Sequence, residues 1–151
     1  MERPLVSVII PVYNGEKMIE KCIRSVFVQK IEKMEIIAVN DGSTDQTGTI
    51  LERLAREDSR LRVIHRQNGG AAAARNTGLG ACSGTYIRFV DMDDHLMENG
   101  ILPMVEAMER ESCQLVIAAY IQVLCGKHQR KNLYGKSEAV SLPDALLHMN
   151  P

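Results

Sequence analysis

The 151-residue sequence is poor in aromatic side chains and nearly balanced in charge. It contains four tyrosines, two phenylalanines and no tryptophan, and its formal net charge is −1 at pH 7. So few aromatic rings argue against a base-stacking platform for single-stranded nucleic acid. Without an excess of positive charge there is also no electrostatic case for binding a duplex. We therefore expect no nucleic-acid partner.

The sequence also lacks long apolar runs and closely spaced cysteines. Its longest apolar run, LVIAAYI at 115–121, falls well short of the roughly 20 residues that a membrane span needs. The run LVSVII near the N-terminus leads into PVYNG, which predicts a strand and a turn and not a signal peptide. None of the four cysteines has CxxC spacing, so buried reduced thiols are favoured over a zinc ribbon or a thioredoxin-like motif. A cytoplasmic location is the expectation.

What the sequence does contain is an alternation of strand and helix patterns. Apolar, β-branched stretches predict strands, and apolar residues at helical spacing predict the helices between them. Such alternation is typical of βαβ units, and near-continuous apolar strands fit a sheet that is covered on both faces. The predicted fold class is α/β, with a mostly parallel sheet flanked by helices. The predicted strands are 5–11, 35–40, 61–65, 86–90 and 114–124, and the predicted helices are 18–27, 50–55, 71–79 and 101–108.

Polar residues follow the first four predicted strands. Ligands of an open parallel sheet bind outside the carboxyl ends of its strands, so the residues that follow each strand are the candidate site. Ser43 and Gln46, after the second strand, have the spacing of a capping box for the next helix. Taken together, the four polar ends indicate one binding site more strongly than any of them alone. The segments are PVYNG, NDGS, RQNGG and DMDD, in chain order.

The fourth strand end carries Asp91, Asp93 and Asp94 within four positions. A helix N-terminus favours one or two acids, whereas three favour a cation. Mg²⁺ and Mn²⁺ prefer carboxylate oxygens, and magnesium sites are commonly completed by substrate phosphates. The sequence therefore predicts a divalent cation that bridges to a diphosphate. Asp41, at a neighbouring strand end, is placed to accept hydrogen bonds from a base or a sugar.

Other site types fit the sequence less well. Asp41, Ser43 and Asp45, with Glu52 further along, have EF-hand spacing, but Gln46 stands where that loop needs glycine. No GxGxxG follows the first strand, which argues against a dinucleotide-binding Rossmann domain, and there is no Walker A motif. His95 follows the acids, and a loop histidine without a ligand is the preferred interpretation.

Four segments together resemble the bacterial family-2 glycosyltransferases over roughly residues 5–125. They are VSVIIPVYNGEKMIEKCIRSVFVQ, EIIAVNDGSTDQT, NGGAAAARNTGL and YIRFVDMDDHL, in this order. The resemblance implies a GT-A, Rossmann-like core at 1–126 that binds a nucleotide-diphospho-sugar, with a UDP-sugar favoured. It also implies transfer with inversion, dependent on Mn²⁺ or Mg²⁺, to a saccharide or lipid-linked acceptor in cell-surface polysaccharide synthesis.

The resemblance also implies roles for individual residues. Pro11 and Tyr13 match positions that wall the nucleotide base, and Asp41 matches the acid that contacts it. Arg75 lies in the ARN signature, and the acids after the fourth strand match the DxD motif, with metal and ribose contacts left open between them. The predicted nucleotide-sugar site is Pro11, Tyr13, Asn14, Asp41, Gly42, Ser43, Gly70, Arg75, Asn76, Asp91, Met92 and Asp93, and the predicted metal ligands are Asp93 and Asp94.

The sequence departs from the family pattern in two places. Ala71 and Ala72 stand where the family often has a bulkier residue and a serine, which loosens side-chain contacts there and leaves the backbone role intact. The family's catalytic base is an acid of a later segment, and nothing after Leu124 resembles that segment. The base is therefore expected beyond Pro151, and none is assigned. Residues 127–151 are predicted to be a basic loop and the start of a truncated acceptor-side segment.

The basic run at 127–136 favours a solvated loop, with contact to an acceptor or to the inner face of a membrane as the sharper interpretation.

Two other functions remain as alternatives. A catalytically inert, glycosyltransferase-like module that binds a nucleotide would show the same donor motifs. A sugar-phosphate nucleotidyltransferase fits less well, because YNGE stands where those enzymes resemble one another in a glycine-rich loop with a basic residue.

Overall fold

The computed structural model describes residues 5–118, 120–124 and 127–131. It divides into two compact units, Met1–Gly100 and Ile101–Pro151. The elements of the first unit are β1 (Val6–Val12), α1 (Ile19–Phe27), β2 (Met34–Asp41), α2 (Thr47–Glu57), β3 (Leu61–Arg66), α3 (Ala71–Ala81) and β4 (Tyr86–Phe89). The described elements of the second unit are α4 (Leu102–Glu111), β5 (Tyr120–Leu124) and β6 (Lys127–Lys131).

The strands of the first unit form one parallel sheet in the order β3-β2-β1-β4. All seven residues of β1 are buried, as are all residues of β2 except Glu35, which is partly buried. These central strands read VSVIIPV and MEIIAVND, rich in the β-branched residues that pack well on a pleated surface. The expected α/β class with a mostly parallel sheet is confirmed.

Helix α3 packs on one face of the sheet. Ala74 lies in a buried cluster with Ile37 and Val39 of β2. A Cβ atom added at Gly78 would lie 2.4 Å from the Cγ2 atom of Ile9, so the helix approaches β1 closely because it lacks a side chain there. The alanine-rich sequence of α3 is therefore what brings its backbone, and the loop before it, down onto the sheet.

Helices α1 and α2 contact each other, and α2 packs against β2 and β3 on the face opposite α3. Their buried residues recur at helical spacing, and the exposed sides are joined by ion pairs of Arg24 and Arg53 with Glu20 and Glu57. Ion pairs this exposed contribute little, typically below about 1 kcal/mol each, so burial of the apolar stripe is the main source of stability.

Within the described residues, no helix is long and apolar enough to cross a bilayer.

Two local predictions are wrong. Helix α2 begins at Thr47 after Gln46 without a side-chain cap, because the Ser43 hydroxyl is engaged elsewhere. In the predicted strand at 114–124, residues 114–118 are not strand, and Tyr120–Leu124 is β5, which pairs antiparallel with β6 in a sheet separate from the parallel one. An apolar run shows strand propensity and does not name its pairing partner, which tertiary context decides.

The predicted basic loop is therefore strand at Lys127–Lys131, and the rest of the predicted acceptor-side segment lies outside the described residues. The predicted domain boundary after residue 126 stays a prediction.

Glu35 ties the amino-terminal ends of the strands together. Its Oε1 atom accepts hydrogen bonds from the Ser7 hydroxyl at 2.6 Å and from the backbone amides of Ser83 and Gly84 at 2.6 and 3.2 Å. Burial acts to raise the pKa of Glu35, but these hydrogen bonds outweigh it and lower the pKa below its usual value. Their stabilising effect is present above the ordinary glutamate range and is lost as the pH falls through the lowered pKa.

Gly84→Ala should destabilise the fold, because a Cβ atom there would lie 2.5 Å from the Ser7 Oγ atom and 2.7 Å from its backbone nitrogen. We expect the free energy of unfolding, measured with urea, to fall by about 2 kcal/mol. Gly80→Ala is the matched control, since a Cβ atom at Gly80 meets no heavy atom within 4 Å. That helical site should gain about 0.5–1 kcal/mol. Equal effects of the two substitutions would contradict the packing argument.

Candidate functional site

A cavity of about 470 Å³ lies at the carboxyl ends of the parallel strands of the first unit. The last residue of β2 and the segments that follow β1, β3 and β4 all contribute to it, as expected for an open parallel sheet. The lining residues are Pro11, Val12, Tyr13, Asp41, Asn68, Gly70, Ala71, Ala74, Arg75, Asp91, Met92 and Asp93.

Most of the residues predicted from the sequence line this cavity. They are Pro11, Tyr13, Asp41, Gly70, Arg75, Asp91, Met92 and Asp93. The predicted residues Asn14, Gly42, Ser43, Asn76 and Asp94 are not among its lining residues. Val12 and Asn68 also line it and lie within the predicted strand-end segments, although neither was singled out. Ala71 and Ala74, one helical turn apart at the start of α3, carry no chemical signature that would have assigned them to a site.

Asp41 organises the loop between β3 and α3. Its side chain is 2% exposed, and its carboxylate accepts hydrogen bonds from the backbone amides of Gly69 at 3.1 Å and Gly70 at 2.7 Å. The Nη1 atom of Arg66 lies 3.0 Å from Asp41 Oδ1, close enough for an ion pair but not aligned as a hydrogen bond. Gly70 has φ +85°, which other residues rarely adopt. The carboxylate thus holds a loop that forms part of the cavity wall.

The turns after β1 and β2 are joined by hydrogen bonds. The backbone amide of Asn14 donates to the Ser43 hydroxyl at 3.0 Å, and the Asn14 Oδ1 atom accepts from the Thr44 amide at 2.8 Å. Asn14 itself has φ 50°, in the left-handed region that asparagine tolerates. Asn14 and Ser43 do not line the cavity, and these contacts give them a different role: each turn positions the other.

The same junction continues into α2. The amide of Gly15 donates to the buried Thr47 hydroxyl at 2.8 Å, and the amide of Glu16 donates to an Asp45 oxygen at 3.2 Å. The other Asp45 oxygen accepts from the Thr47 amide at 3.0 Å, and the Gln46 amide, which the predicted capping box would have bonded to Ser43, donates to Glu16 Oε2 at 3.1 Å. The turn that carries Tyr13 is therefore fixed to the first turn of a helix.

At the other end of the cavity, Arg75 pairs with Asp91. An Nη2 atom of this α3 arginine lies 2.5 Å from Asp91 Oδ1, in the segment after β4. Asp93 also lines the cavity and is exposed. Burial, and then the charges of Asp93 and Asp91, raise the pKa of Asp94, whereas Arg88 acts to lower it. This end of the cavity thus combines one guanidinium with a strongly negative segment.

Cys22 of α1 lies beneath the acids. Its Sγ atom donates to the backbone oxygen of Asp91 at 3.5 Å. Burial, followed by the charges of Asp94, Asp93 and Asp91, raises the pKa of the Cys22 thiol to about 12. The expected buried, reduced cysteine is found at this position, and Cys82 and Cys113 are also free thiols.

The residues present fit a divalent cation that takes only part of its ligands from the protein. Among the described residues, no group of three histidine, cysteine or acidic side chains has the geometry to hold a metal ion. Asp91 and Asp93 nevertheless line the same cavity, and magnesium sites commonly use one or two carboxylates plus substrate phosphates. A cation here would complete its shell with ligand oxygens.

The parallel sheet, the cavity at its carboxyl edge and the acidic segment after β4 define a ligand-binding α/β domain of the Rossmann-like class. More narrowly, the chain belongs to glycosyl transferase family 2, whose model matches residues 7–144. It is 48% identical over 113 residues to EpsJ of Bacillus subtilis, an uncharacterised glycosyltransferase. That match covers 75% of this chain and 33% of EpsJ, so the chain spans about a third of this relative's length.

Solved structures show the same GT-A architecture. The structure of S. aureus TarS 1-349 in complex with UDP-GlcNAc has a TM-score of 0.70 and 27% identity, covering 87% of this chain and 38% of TarS. The mannosyltransferase PcManGT of Pyrobaculum calidifontis, in complex with GDP-Man and Mn²⁺, has a TM-score of 0.60 and 29% identity over 66% of this chain and 30% of its own. The expected fold is therefore confirmed.

Thr47→Val should weaken the junction between the two turns, because it leaves the Gly15 amide without its acceptor in a buried place. We expect the free energy of unfolding to fall by about 1–3 kcal/mol. Thr49→Val, on the exposed side of the same helix, is the matched control and should change stability by less than about 0.5 kcal/mol. Urea denaturation of both variants decides, and an unchanged Thr47→Val midpoint would show that the contact is dispensable.

Proposed function

We propose that this chain forms the donor-binding part of a glycosyltransferase that takes a sugar from a nucleotide-diphospho-sugar and transfers it to an acceptor hydroxyl with inversion. The observation that carries the proposal is the two-ended cavity. A buried, hydrogen-bonded acid and an ordered glycine loop form one end, and an arginine with two acids forms the other. TarS bound to UDP-GlcNAc and PcManGT bound to GDP-Man support this ligand class.

The nucleoside occupies the end of the cavity near β1 and β2 in this proposal. Pro11 and Val12 offer an apolar wall, and Tyr13, 46% exposed, offers a ring face for a base. Asp41 has part of its acceptor capacity filled by Gly69 and Gly70, so it orders the wall in addition to any contact with the base. A UDP-sugar is the favoured donor.

The diphosphate occupies the end near Arg75, Asp91 and Asp93. A guanidinium suits phosphate oxygens because its N–H groups form a planar fork. Asp91 and Asp93 are the carboxylates proposed to hold Mn²⁺ or Mg²⁺, with Asp94 as a further candidate ligand. A bound cation supplies Lewis-acid stabilisation of the charge on the leaving diphosphate. Before the ligand enters, Arg75 neutralises Asp91, so the protein itself balances charge at this end.

The acceptor side remains a proposal without assigned residues. Inverting transfer needs a base that removes the proton of the acceptor hydroxyl. We assign no residue of this chain to that role and place it in a later segment of the family's architecture. A saccharide or lipid-linked acceptor, a role in cell-surface polysaccharide synthesis and a position at the inner face of the membrane belong to the same proposal. An inert donor-binding module is the alternative, because the donor cavity alone is common to both.

Calorimetry tests the donor site directly. We expect UDP to bind more tightly with Mn²⁺ than without it, and Asp93→Asn to weaken binding in Mn²⁺ about tenfold or more through loss of a charged ligand. Glu98→Gln is the matched control, because Glu98 is 76% exposed and lies outside the cavity. GDP and dTDP, titrated in parallel, report the base preference. If neither Mn²⁺ nor Asp93→Asn changes the affinity for UDP, the assignment of the donor site is refuted.

A further inference from the structure

A hydrogen-bonded pair lies next to the cavity, on the other face of the sheet from Asp41. Asn40 and His65 are paired in register at the carboxyl ends of β2 and β3, as are Asp41 and Arg66 one position further along. The Nδ2 atom of Asn40 lies 3.0 Å from His65 Nδ1, and His65 Nε2 lies 2.9 Å from an oxygen of Glu52 in α2. Side chains alternate along a strand, so the two pairs hold the same strand ends from opposite faces.

The contacts of Asn40 fix which nitrogen of His65 carries the proton. Asn40 Oδ1 accepts a hydrogen bond from the backbone amide of Ser43 at 3.1 Å, so its Nδ2 group is the one that faces the imidazole. An amide NH₂ only donates, which requires His65 Nδ1 to accept and therefore to be unprotonated. The proton then lies on Nε2, where it is donated to the Glu52 carboxylate. Every donor in this series has an acceptor only while the imidazole is neutral.

A second proton on His65 is incompatible with this arrangement. It would place an N–H group at Nδ1 against the Nδ2–H group of Asn40, donor against donor. Rotating the Asn40 amide by half a turn restores that contact, but it then turns the NH₂ group toward the Ser43 amide and removes the acceptor there. The pair is also confined, because a Cβ atom at Gly48 would lie only 3.3 Å from Asn40 Nδ2. While the half-exposed imidazole stays in contact with Asn40, its protonated form and the bond to Ser43 exclude each other.

The Ser43 amide belongs to the junction that shapes the cavity. The Ser43 hydroxyl accepts from the Asn14 amide, next to Tyr13, and Asp41 follows Asn40 directly. If the Ser43 amide loses its acceptor, the turn after β2 is therefore held less firmly. Two cavity-lining residues, Tyr13 and Asp41, adjoin that turn. Asn40, at 6% exposed, and His65 do not line the cavity themselves.

We propose that Asn40 and His65 are positioning residues for the nucleotide: the neutral imidazole of His65 holds the Asn40 amide in the orientation that binds the Ser43 turn, and protonation of His65 releases that turn. This inference rests on the proposed donor site. It predicts that donor affinity falls when the His65 imidazole takes up a second proton.

Few charged groups face the imidazole within the described residues. Glu52 of α2 contacts it, and Arg56 of the same helix donates to the Glu52 backbone oxygen at 3.2 Å. Asn40 of β2 is neutral. Arg62 and Arg66 of β3 are on the opposite face, where they contact the Ala81 carbonyl oxygen and Asp41. The groups that contact the imidazole are therefore the carboxylate of Glu52 and the amide of Asn40.

Nuclear magnetic resonance tests the pair without any nucleotide. At about pH 8 the imidazole nitrogens of His65 should show the proton on Nε2. As the pH falls to about 5.5, the Ser43 amide signal should move together with the His65 signals. In His65→Asn, whose amide oxygen can accept from Asn40 and does not titrate, the Ser43 signal should stay fixed. The inference would be overturned by a proton on Nδ1 at high pH, or by a Ser43 amide signal that does not change with the His65 signals.

Calorimetry with UDP-GlcNAc and Mn²⁺ then tests the consequence for binding. Wild type should lose about three- to tenfold more affinity than His65→Asn between about pH 8 and pH 6, the effect of one hydrogen bond. Comparing the two proteins removes contributions of the ligand and of the acids after β4. Asn40→Asp should also lack the additional loss of affinity at low pH that wild type shows, because a carboxylate accepts from both the Ser43 amide and a protonated imidazole.

The outcomes separate the two claims. Equal pH profiles of wild type and His65→Asn would overturn the positioning role even if UDP-GlcNAc binds well. No binding to wild type at about pH 8 would refute the proposed donor site. In that case the positioning of a nucleotide falls with it, and the coupling of His65 to Ser43 is still decided by the resonance experiment.

Discussion

The carboxylate of Asp41 accepts two backbone amides of the loop before α3 and faces the guanidinium of Arg66 from 3.0 Å. A charge that is 2% exposed would be costly if unpaired, so the loop and the arginine are the groups that allow it to be buried. The same contacts fix the position of the loop between β3 and α3 relative to the sheet. Removing this carboxylate would affect the strand end, the loop and the start of α3 together.

The cavity is built from segments far apart in sequence that are joined by few but specific polar contacts. The turn after β1 uses its backbone amides as donors, and the turn after β2 supplies hydroxyl and carboxylate acceptors. Preorganised donors and acceptors reduce the ordering that a ligand must impose when it binds. A rigid sheet with mutually supporting turns is thus suited to hold a long, flexible ligand.

The sequence was sufficient to predict the parallel sheet from apolar periodicity, which is a local signal. It was also sufficient for eight cavity-lining residues, which polar strand ends and the family resemblance together indicated. It was insufficient for contacts that depend on neighbours in space. Ser43 was assigned to the cap of α2, whereas it binds the Asn14 turn, which lies about thirty positions earlier. The run at 114–124 was assigned to the parallel sheet, because propensity does not reveal which strand will pair with it. Ala74 was missed because a methyl group carries no chemical signature.

Cys22 shows a consequence of placing acids over a buried helix. A negative potential that suits a cation disfavours a second anion, and a thiol with a pKa near 12 is almost never a thiolate at neutral pH. Since the thiolate is the form that reacts with oxidants and alkylating agents, this sulfur is chemically quiet despite its nearness to the ligand cavity. The acidic segment therefore also protects this sulfur, and oxidants that modify more exposed thiols should leave Cys22 unmodified.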